Sequence, residues 1–302
     1  MSTRPGGASA ADGAEGVEGA GAAGDVDVDV HALLTIAADA AGAAGELLAS
    51  RAGRVQVAAT KSSSTDVVTE MDRQAEELIR ARISAVRPSD AILGEEGGQT
   101  GDTGGAPVRW VIDPLDGTVN YLYGLPGWAV SIAAEVAGEI VAGVVAVPTR
   151  NECFSAIRGH GAWLLSGVTR VGLSCRPGVA LSQALIATGF GYLPERRKVQ
   201  GEVVAALLPR IRDIRRAGVA SVDLCTLAAG QLDGYYERGL NYWDYAAGAL
   251  IAAEAGAVVG GLRGAAASGS MLVAAGPELF GPLTAALAAL DPDRDAVDAP
   301  VA

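Results

Sequence analysis

Histidine and cysteine are nearly missing from this chain, with two histidines and three cysteines in 302 residues. His31 and His160 alone cannot build an imidazole-rich metal centre. Cys153, Cys175 and Cys225 are scattered without CxxC spacing, and so few thiols, odd in number, do not make the disulfide framework of a small secreted domain. Basic residues are outnumbered, 23 Lys and Arg against 35 Asp and Glu, for a net charge of −12. No broad cationic face can be assembled, which excludes a basic nucleic-acid binder. Uninterrupted apolar runs are also lacking: Asp39 and Glu46 break one candidate, Glu135 and Glu139 the other, so neither approaches the roughly 20 residues of a membrane span. The N-terminus has no basic start followed by an apolar stretch and does not read as a signal peptide. A soluble cytoplasmic protein with no membrane partner and no nucleic-acid partner is expected.

What is present is apolar bulk and unevenly placed acid. Half of the residues are hydrophobic, enough for a sizeable core. Six acids and one base fall in residues 1–30, and four acids and one base in 291–302. Residues 1–28, rich in Gly, Ala, Asp and Glu with little to bury, read as a disordered acidic tail, and 291–302 as a second one. Between them, 29–290 reads as one folded domain with subdomains of about 29–150 and 151–290. Apolar periodicity predicts a helix over 30–50 and a second from Thr69 to Val86, ended by Pro88. KSSSTD at 61–66 is a polar loop. AILGEEGG at 91–98 is a short strand running into a loop. Strand patterns at 108–113, 128–136, 139–148, 153–159 and 169–174 suggest an antiparallel sheet. The second half alternates strand and helix, with strands at 184–190, 213–218 and 233–239 and helices at 196–209, 220–230, 244–255 and 277–290. That alternation indicates a layered α/β arrangement.

The densest chemistry is Trp110-Val-Ile-Asp113-Pro-Leu-Asp116-Gly-Thr118-Val-Asn120. A buried strand delivers Asp113, Pro114 fixes one φ, and Gly117 permits a sharp turn. Two carboxylates three residues apart on such a turn can face one point, and they repel unless a proton or cation lies between them. With hard oxygen donors and no His or Cys nearby, the cation would be Mg²⁺ rather than zinc, with the Leu115 carbonyl as a further ligand. The amides of Gly117 and Thr118 suit a phosphate. An Asp-rich turn with an Asx cap is the alternative. Glu95 and Glu96 follow an apolar strand, where a ligand and a solvated pair are both open. Asp72 reads as part of a capping box with Thr69 as N-cap, and Asp66 precedes it in the loop. Asp244 reads as a helix N-cap, Glu237 as a strand-end surface charge, Arg215 and Arg216 as surface charge or an oligomer contact, and Tyr235 and Tyr236 as half-buried strand residues.

DVVTEMD (66–72), ILGEE (92–96), WVIDPLDGTVNYLYGLPGWAVSIA (110–133) and NYWDYAAGALIAAEAG (241–256), in that order, resemble the inositol monophosphatase family. RRAGVASVDLCTLAAGQLDGYYERG (215–239) resembles its substrate-side segment, as in the bacterial SuhB-like branch. The resemblance covers roughly residues 30–288. It implies an αβαβα sandwich of the inositol monophosphatase and fructose-1,6-bisphosphatase type. It also implies a Mg²⁺-dependent, Li⁺-sensitive phosphomonoesterase that is commonly a homodimer and acts on a small phosphorylated polyol. On that basis Glu95, Asp113, the Leu115 carbonyl, Asp116 and Asp244 match ligands for two to three Mg²⁺ ions. Thr118 and Asp72 match the pair that activates the attacking water, with Glu95 also on the catalytic side. Gly117 and Thr118 match the phosphate amides. Glu237, Asp116, Asp244 and the Ala220 backbone match the substrate side, and Glu96 stands behind Glu95. The implied substrate is myo-inositol 1-phosphate. Histidinol phosphate, fructose 1,6-bisphosphate and a 3′-phosphonucleotide are alternatives with the same chemistry, and a non-catalytic interaction protein is the alternative from another class. Val219 stands where relatives usually have Ser or Thr, Ala257 where a second Gly is common, and Leu115 where Ile is usual.

Overall fold

The computed structural model describes residues 28–52, 57–60, 67–101 and 105–294. The acidic stretch 1–27, the loop 61–66 with Asp66, and residues 295–302 lie outside them.

The chain begins with helix α1 (Val30–Arg51), whose N-cap Asp29 accepts from the amides of His31 and Ala32. Strands β1 (Val57–Thr60) and β2 (Val67–Thr69) pair antiparallel and lead into α2 (Glu70–Val86). Next come β3 (Ala91–Gly94), β4 (Gly98–Thr100), β5 (Arg109–Asp116), the short α3 (Thr118–Leu122), β6 (Ala129–Val136), β7 (Glu139–Val147), β8 (Glu152–Ile157), β9 (Gly161–Ser166) and β10 (Thr169–Gly172). The remainder runs β11 (Leu185–Thr188), α4 (Pro194–Leu207), β12 (Asp213–Arg215), α5 (Ala220–Ala228), β13 (Gly234–Glu237), α6 (Tyr242–Glu254), β14 (Val258–Gly260), β15 (Leu272–Ala275) and α7 (Pro277–Ala288).

Eight strands form one sheet in the order β10-β9-β8-β7-β6-β5-β3-β4, and five form a second, β12-β11-β13-β15-β14. From β5 to β10 the first is antiparallel throughout, as the strand patterns suggest, and β3 adds the one parallel pairing of that sheet beside β5, with β4 antiparallel at its outer edge. β9 carries no clean alternation in GAWLLS and escapes sequence reading, yet it pairs along its length with β8.

Successive side chains of a strand point to opposite faces, and both faces of the large sheet's central strands are buried. Trp110, Ile112, Val130, Ile132 and Val144 face α1 and α2, joining Leu33, Leu48, Ile79 and Ile83. Val111, Ala133, Val145, Phe154 and Ala156 face α5 and α6, meeting Val222, Cys225, Leu250 and Ile251. The small sheet repeats the device. Ala187, Tyr235, Leu272 and Ala274 pack on Leu224, Leu227 and Ala252 of the same two helices. Its outer face packs on Val199, Val203 and Leu207 of α4 and Leu279, Leu283 and Leu287 of α7. The result is five layers, α1/α2, eight strands, α5/α6, five strands, α4/α7: an αβαβα sandwich. Helix α1 is long and apolar enough to cross a membrane by length and composition, but here Leu33, Ala37, Ala40, Ala41, Ala44 and Leu48 are buried in the first interface.

Beyond α7 the described chain continues to Arg294. Arg263 pairs with Asp291 and Asp293, and Arg294 with Glu202.

Candidate active site

The site is built where β5 leaves the sheet. β5 extends past Asp113 to Asp116 because a bulge absorbs Pro114, which has no N–H for the ladder. Asp113 opposes Ser131 and Asp116 opposes Ala129, with an irregular register between them. Asp113 Oδ1 accepts the Leu115 amide at 2.9 Å, so the Asx-type turn is real and coexists with a crowded carboxylate. Gly117 then adopts φ +91°, where a Cβ would also lie 2.8 Å from Val219 Cγ2. Only glycine takes that turn without strain, and it opens α3 at Thr118.

Five further elements bring polar groups to this turn. β3 runs beside β5 with Gly94 opposite Ile112, and the Glu95 amide donates to the Ile112 carbonyl at 3.3 Å, placing Glu95 next to Asp113. Helix α2 supplies Asp72, fully buried at its third position. One of its oxygens, Oδ2, takes the Thr69 amide at 2.8 Å, and the other, Oδ1, takes the Thr118 hydroxyl at 3.0 Å. The capping reading of Asp72 and its reading as a partner of Thr118 are therefore both realised. Thr118 Oγ1 also lies 3.1 Å from the Leu115 carbonyl. Helix α5 points its first amides at Asp116, whose Oδ2 accepts Ser221 N at 2.8 Å and Ser221 Oγ at 2.6 Å. The Ala220 amide joins them, so that amide is turned to Asp116. Helix α6 supplies Asp244. It is not the N-cap that the sequence suggests: Asn241 is the N-cap, and Asp244 is the third residue of a capping box, with Oδ2 accepting the Asn241 amide at 2.6 Å. The helix therefore starts two residues before the expected 244, at Tyr242. β13 ends at Glu237, which is half-buried rather than a surface charge, with Tyr235 donating to it.

Several supports were invisible to sequence reading. Ser221 is fully buried and holds Asp116. Glu76 is 3% exposed and accepts the amides of Glu96 at 2.7 Å and Gly97 at 2.8 Å, with Arg80 at 2.8 Å completing its charge balance. It fixes the loop that carries Glu95, and its only signal was an acid on the apolar side of α2. Tyr235 and Tyr236 are buried rather than half-buried. Arg215 and Arg216 are both exposed; Arg215 pairs with Asp213, and Arg216 lies over the Phe190 ring.

Charge is the dominant strain here. Burial, followed by the neighbouring charges of Glu95, Asp116 and Asp244, pushes the Asp113 carboxyl well above its ordinary value, and Glu95 shares a hydrogen bond with it. Burial, then Glu95 and Asp116, raises Asp244 likewise. Asp116 is raised by burial to about 6 despite three donated hydrogen bonds. Burial lifts Glu237 to about 7 against the pull of the Tyr235 hydroxyl. As the side chains stand, no three acidic, imidazole or thiol groups among the described residues close on one point. Asp113, Asp116 and Asp244 each have an oxygen already anchored by backbone, and their remaining charge is uncompensated. Oxygen-only donors under mutual repulsion fit a hard divalent cation.

Carboxylates and a Thr–Asp pair gathered at the end of β5 in a five-layer sandwich are groups suited to a hard divalent cation and a phosphate ester. Comparison with known proteins agrees. The inositol monophosphatase family model matches residues 29–290, and the chain belongs to that family. It is 50% identical over 231 residues to Inositol-1-monophosphatase SuhB of Mycobacterium tuberculosis, covering 75% of this chain and 80% of that protein. It is 43% identical over 237 residues to Nus factor SuhB of Pseudomonas aeruginosa, covering 77% and 86%. The solved structure of Mycobacterium tuberculosis SuhB aligns with a TM-score of 0.75 at 43% identity, covering 89% of this chain and 100% of that one. The family implies phosphatase activity and a divalent metal cofactor.

Proposed function

We propose that this phosphatase hydrolyses myo-inositol 1-phosphate to inositol and phosphate with Mg²⁺ as its metal. The observation that carries the reading is the mutually repelling set of buried Asp113 and half-buried Glu95, Asp116 and Asp244 standing beside the Thr118–Asp72 hydrogen bond. These four carboxylates and the Leu115 carbonyl would hold two to three Mg²⁺ ions, which when bound supply a Lewis acid for water and for the leaving oxygen.

The chain's own part follows from the contacts. Asp72 is anchored through Oδ2, so Oδ1 orients the Thr118 hydroxyl. Thr118 in turn can align a water and take its proton while passing its own to Asp72 Oδ1, as the water oxygen attacks phosphorus, the ester P–O bond breaks and the leaving alkoxide takes up a proton from solvent. The amides of Gly117 and Thr118 face a phosphate at the start of α3. Ser221 and the Ala220 amide hold Asp116 in place. Glu237 accepts a hydroxyl of the leaving polyol, which favours a substrate with vicinal hydroxyls. No covalent phospho-enzyme is required. Phosphate monoesters hydrolyse very slowly uncatalysed, so charge stabilisation by the cations this cluster would hold has to do most of the work. A homodimer in the cytoplasm, inhibited by Li⁺, belongs to the same proposal.

A second reading, a role in a transcription complex, is favoured by the Nus factor name of the Pseudomonas relative. The complete carboxylate set argues for catalysis whether or not such a role exists. Phosphate release from myo-inositol 1-phosphate, histidinol phosphate, fructose 1,6-bisphosphate and a 3′-phosphonucleotide, with and without Mg²⁺, tests both. Asp116→Asn is expected to lower Mg²⁺-dependent turnover at least about a hundredfold, on the scale of losing one transition-state charge contact. Activity within twofold of wild type overturns the site, and no release from any substrate favours the second reading.

A further inference from the structure

Strand β13 carries a hydroxyl that the chemistry above does not use. Tyr235 is 0% exposed. Its ladder neighbours are Ala187 on β11 and Ala274 on β15, small residues that leave its ring room. Side chains two apart on a strand share a face, and the Tyr235 hydroxyl donates to Glu237 Oε2 at 2.6 Å. The same carboxyl lies against Gly189, where a Cβ would fall 1.9 Å from Oε2 and 2.2 Å from Oε1 and Cδ. Gly189 directly follows β11, next to the register pair Thr188 and Tyr236. The carboxyl is thus held by a buried donor and against a stretch of backbone that has no side chain.

We propose that Tyr235 is a positioning residue for leaving-group recognition: its hydroxyl locks one oxygen of Glu237 so that the other is presented to a polyol hydroxyl. The proposal rests on the assignment of Glu237 to the polyol. Tyr235 is too deeply buried to touch substrate and acts only through Glu237. Burial, followed by the charges of Glu237 and Asp223, holds its hydroxyl well above the ordinary tyrosine value, so it remains a donor across the working pH range. Gly189 completes the device by letting the carboxyl lie flat against the backbone.

The test is steady-state kinetics of the full chain with saturating Mg²⁺ on myo-inositol 1-phosphate and on p-nitrophenyl phosphate, whose leaving group carries no vicinal hydroxyls. In Tyr235→Phe the ratio of kcat/KM for the inositol ester to that for the aryl ester is expected to fall roughly tenfold, mainly through KM, as for one hydrogen bond to a charged group. An unchanged ratio, or equal losses of kcat on both esters, overturns the proposal. Gly189→Ala displaces the same carboxyl while keeping the tyrosine, should lower the ratio as well, and decides the matter if Tyr235→Phe does not fold. In a Glu237→Ala background, which removes the acceptor, adding Tyr235→Phe should move the ratio less than about twofold. If wild type cleaves the aryl ester but not the inositol ester, the substrate reading fails. The same ratio measured with glycerol 2-phosphate then still decides the role of Tyr235.

Discussion

Removing divalent metal should make this protein less stable as pH rises from 4 to 7, opposite to the usual acid lability of carboxylate-rich proteins. Asp116 is raised from 3.8 to about 6, chiefly by burial. A carboxyl whose folded value lies above its unfolded value binds its proton more tightly in the folded state. Its stabilising contribution is therefore complete below about pH 4 and is lost as pH rises through about 6. The shift is worth on the order of 3 kcal/mol. Asp113 and Asp244 are raised by burial and by each other's neighbours, and Glu237 is raised to about 7, so all act in the same direction. Asp213 and Asp293 are held low by Arg215 and Arg263, but Arg215, Arg263 and Asp213 are about half exposed, so screening leaves these pairs little weight.

For a domain this large, Asp116 alone corresponds to a melting shift of roughly 6–12 °C. The assay is thermal unfolding in EDTA at pH 5.0, 6.0 and 7.5, repeated with saturating Mg²⁺. The metal-free protein should melt highest at pH 5.0, and Mg²⁺ should raise the midpoint most at pH 7.5. Asp116→Asn should flatten the metal-free profile and stabilise the protein at pH 7.5. A metal-free midpoint that climbs from pH 5.0 to 7.5, or an Asp116→Asn protein that melts lower at pH 7.5, would refute the claim that these charges are uncompensated.

Other perturbations bear on separate parts of the site. Ser221→Ala removes a 2.6 Å hydrogen bond to Asp116 and should weaken the apparent Mg²⁺ affinity about tenfold, moving the acid limb of the rate profile to higher pH; an unmoved limb in a pH–rate series refutes this. Gly117→Ala forces a side chain to φ +91° against Val219 and should cost about 1–3 kcal/mol in denaturant unfolding, with weaker inhibition by inorganic phosphate. Glu76→Ala leaves the amides of Glu96 and Gly97 and the Arg80 guanidinium without their shared acceptor; a loss of about 3 kcal/mol of stability and a higher Mg²⁺ requirement are expected, and a wild-type Mg²⁺ titration would count against its support of Glu95.

How far the sequence could be read depends on the range of the forces involved. Helices α1 and α2 were legible because their apolar spacing and the Thr69 cap are local. Asp113 and Asp116 stood out because strand, proline and glycine are contiguous. The N-terminus of α6 was misplaced because Asp244 looks like a cap, and only the fold shows that Asn241 takes that role. The bulge, the parallel β3–β5 pair and the Ser221–Asp116 bond join residues up to 105 apart in sequence, and no local pattern encodes them. Val219 departs from the Ser or Thr usual at that place in relatives. In the structure it is 1% exposed, caps nothing with its side chain, and packs against Gly117 instead.

The two sheets hold different parts of the proposed chemistry. Glu95, Asp113 and Asp116 belong to the large sheet, Glu237 and its tyrosine to the small one, with α5 and α6 between. Substitutions along β11 and β13 can therefore change which alcohol is released without disturbing the cation-binding strands. A lineage with this architecture can explore new substrates on one sheet while selection keeps the hydrolytic machinery constant on the other.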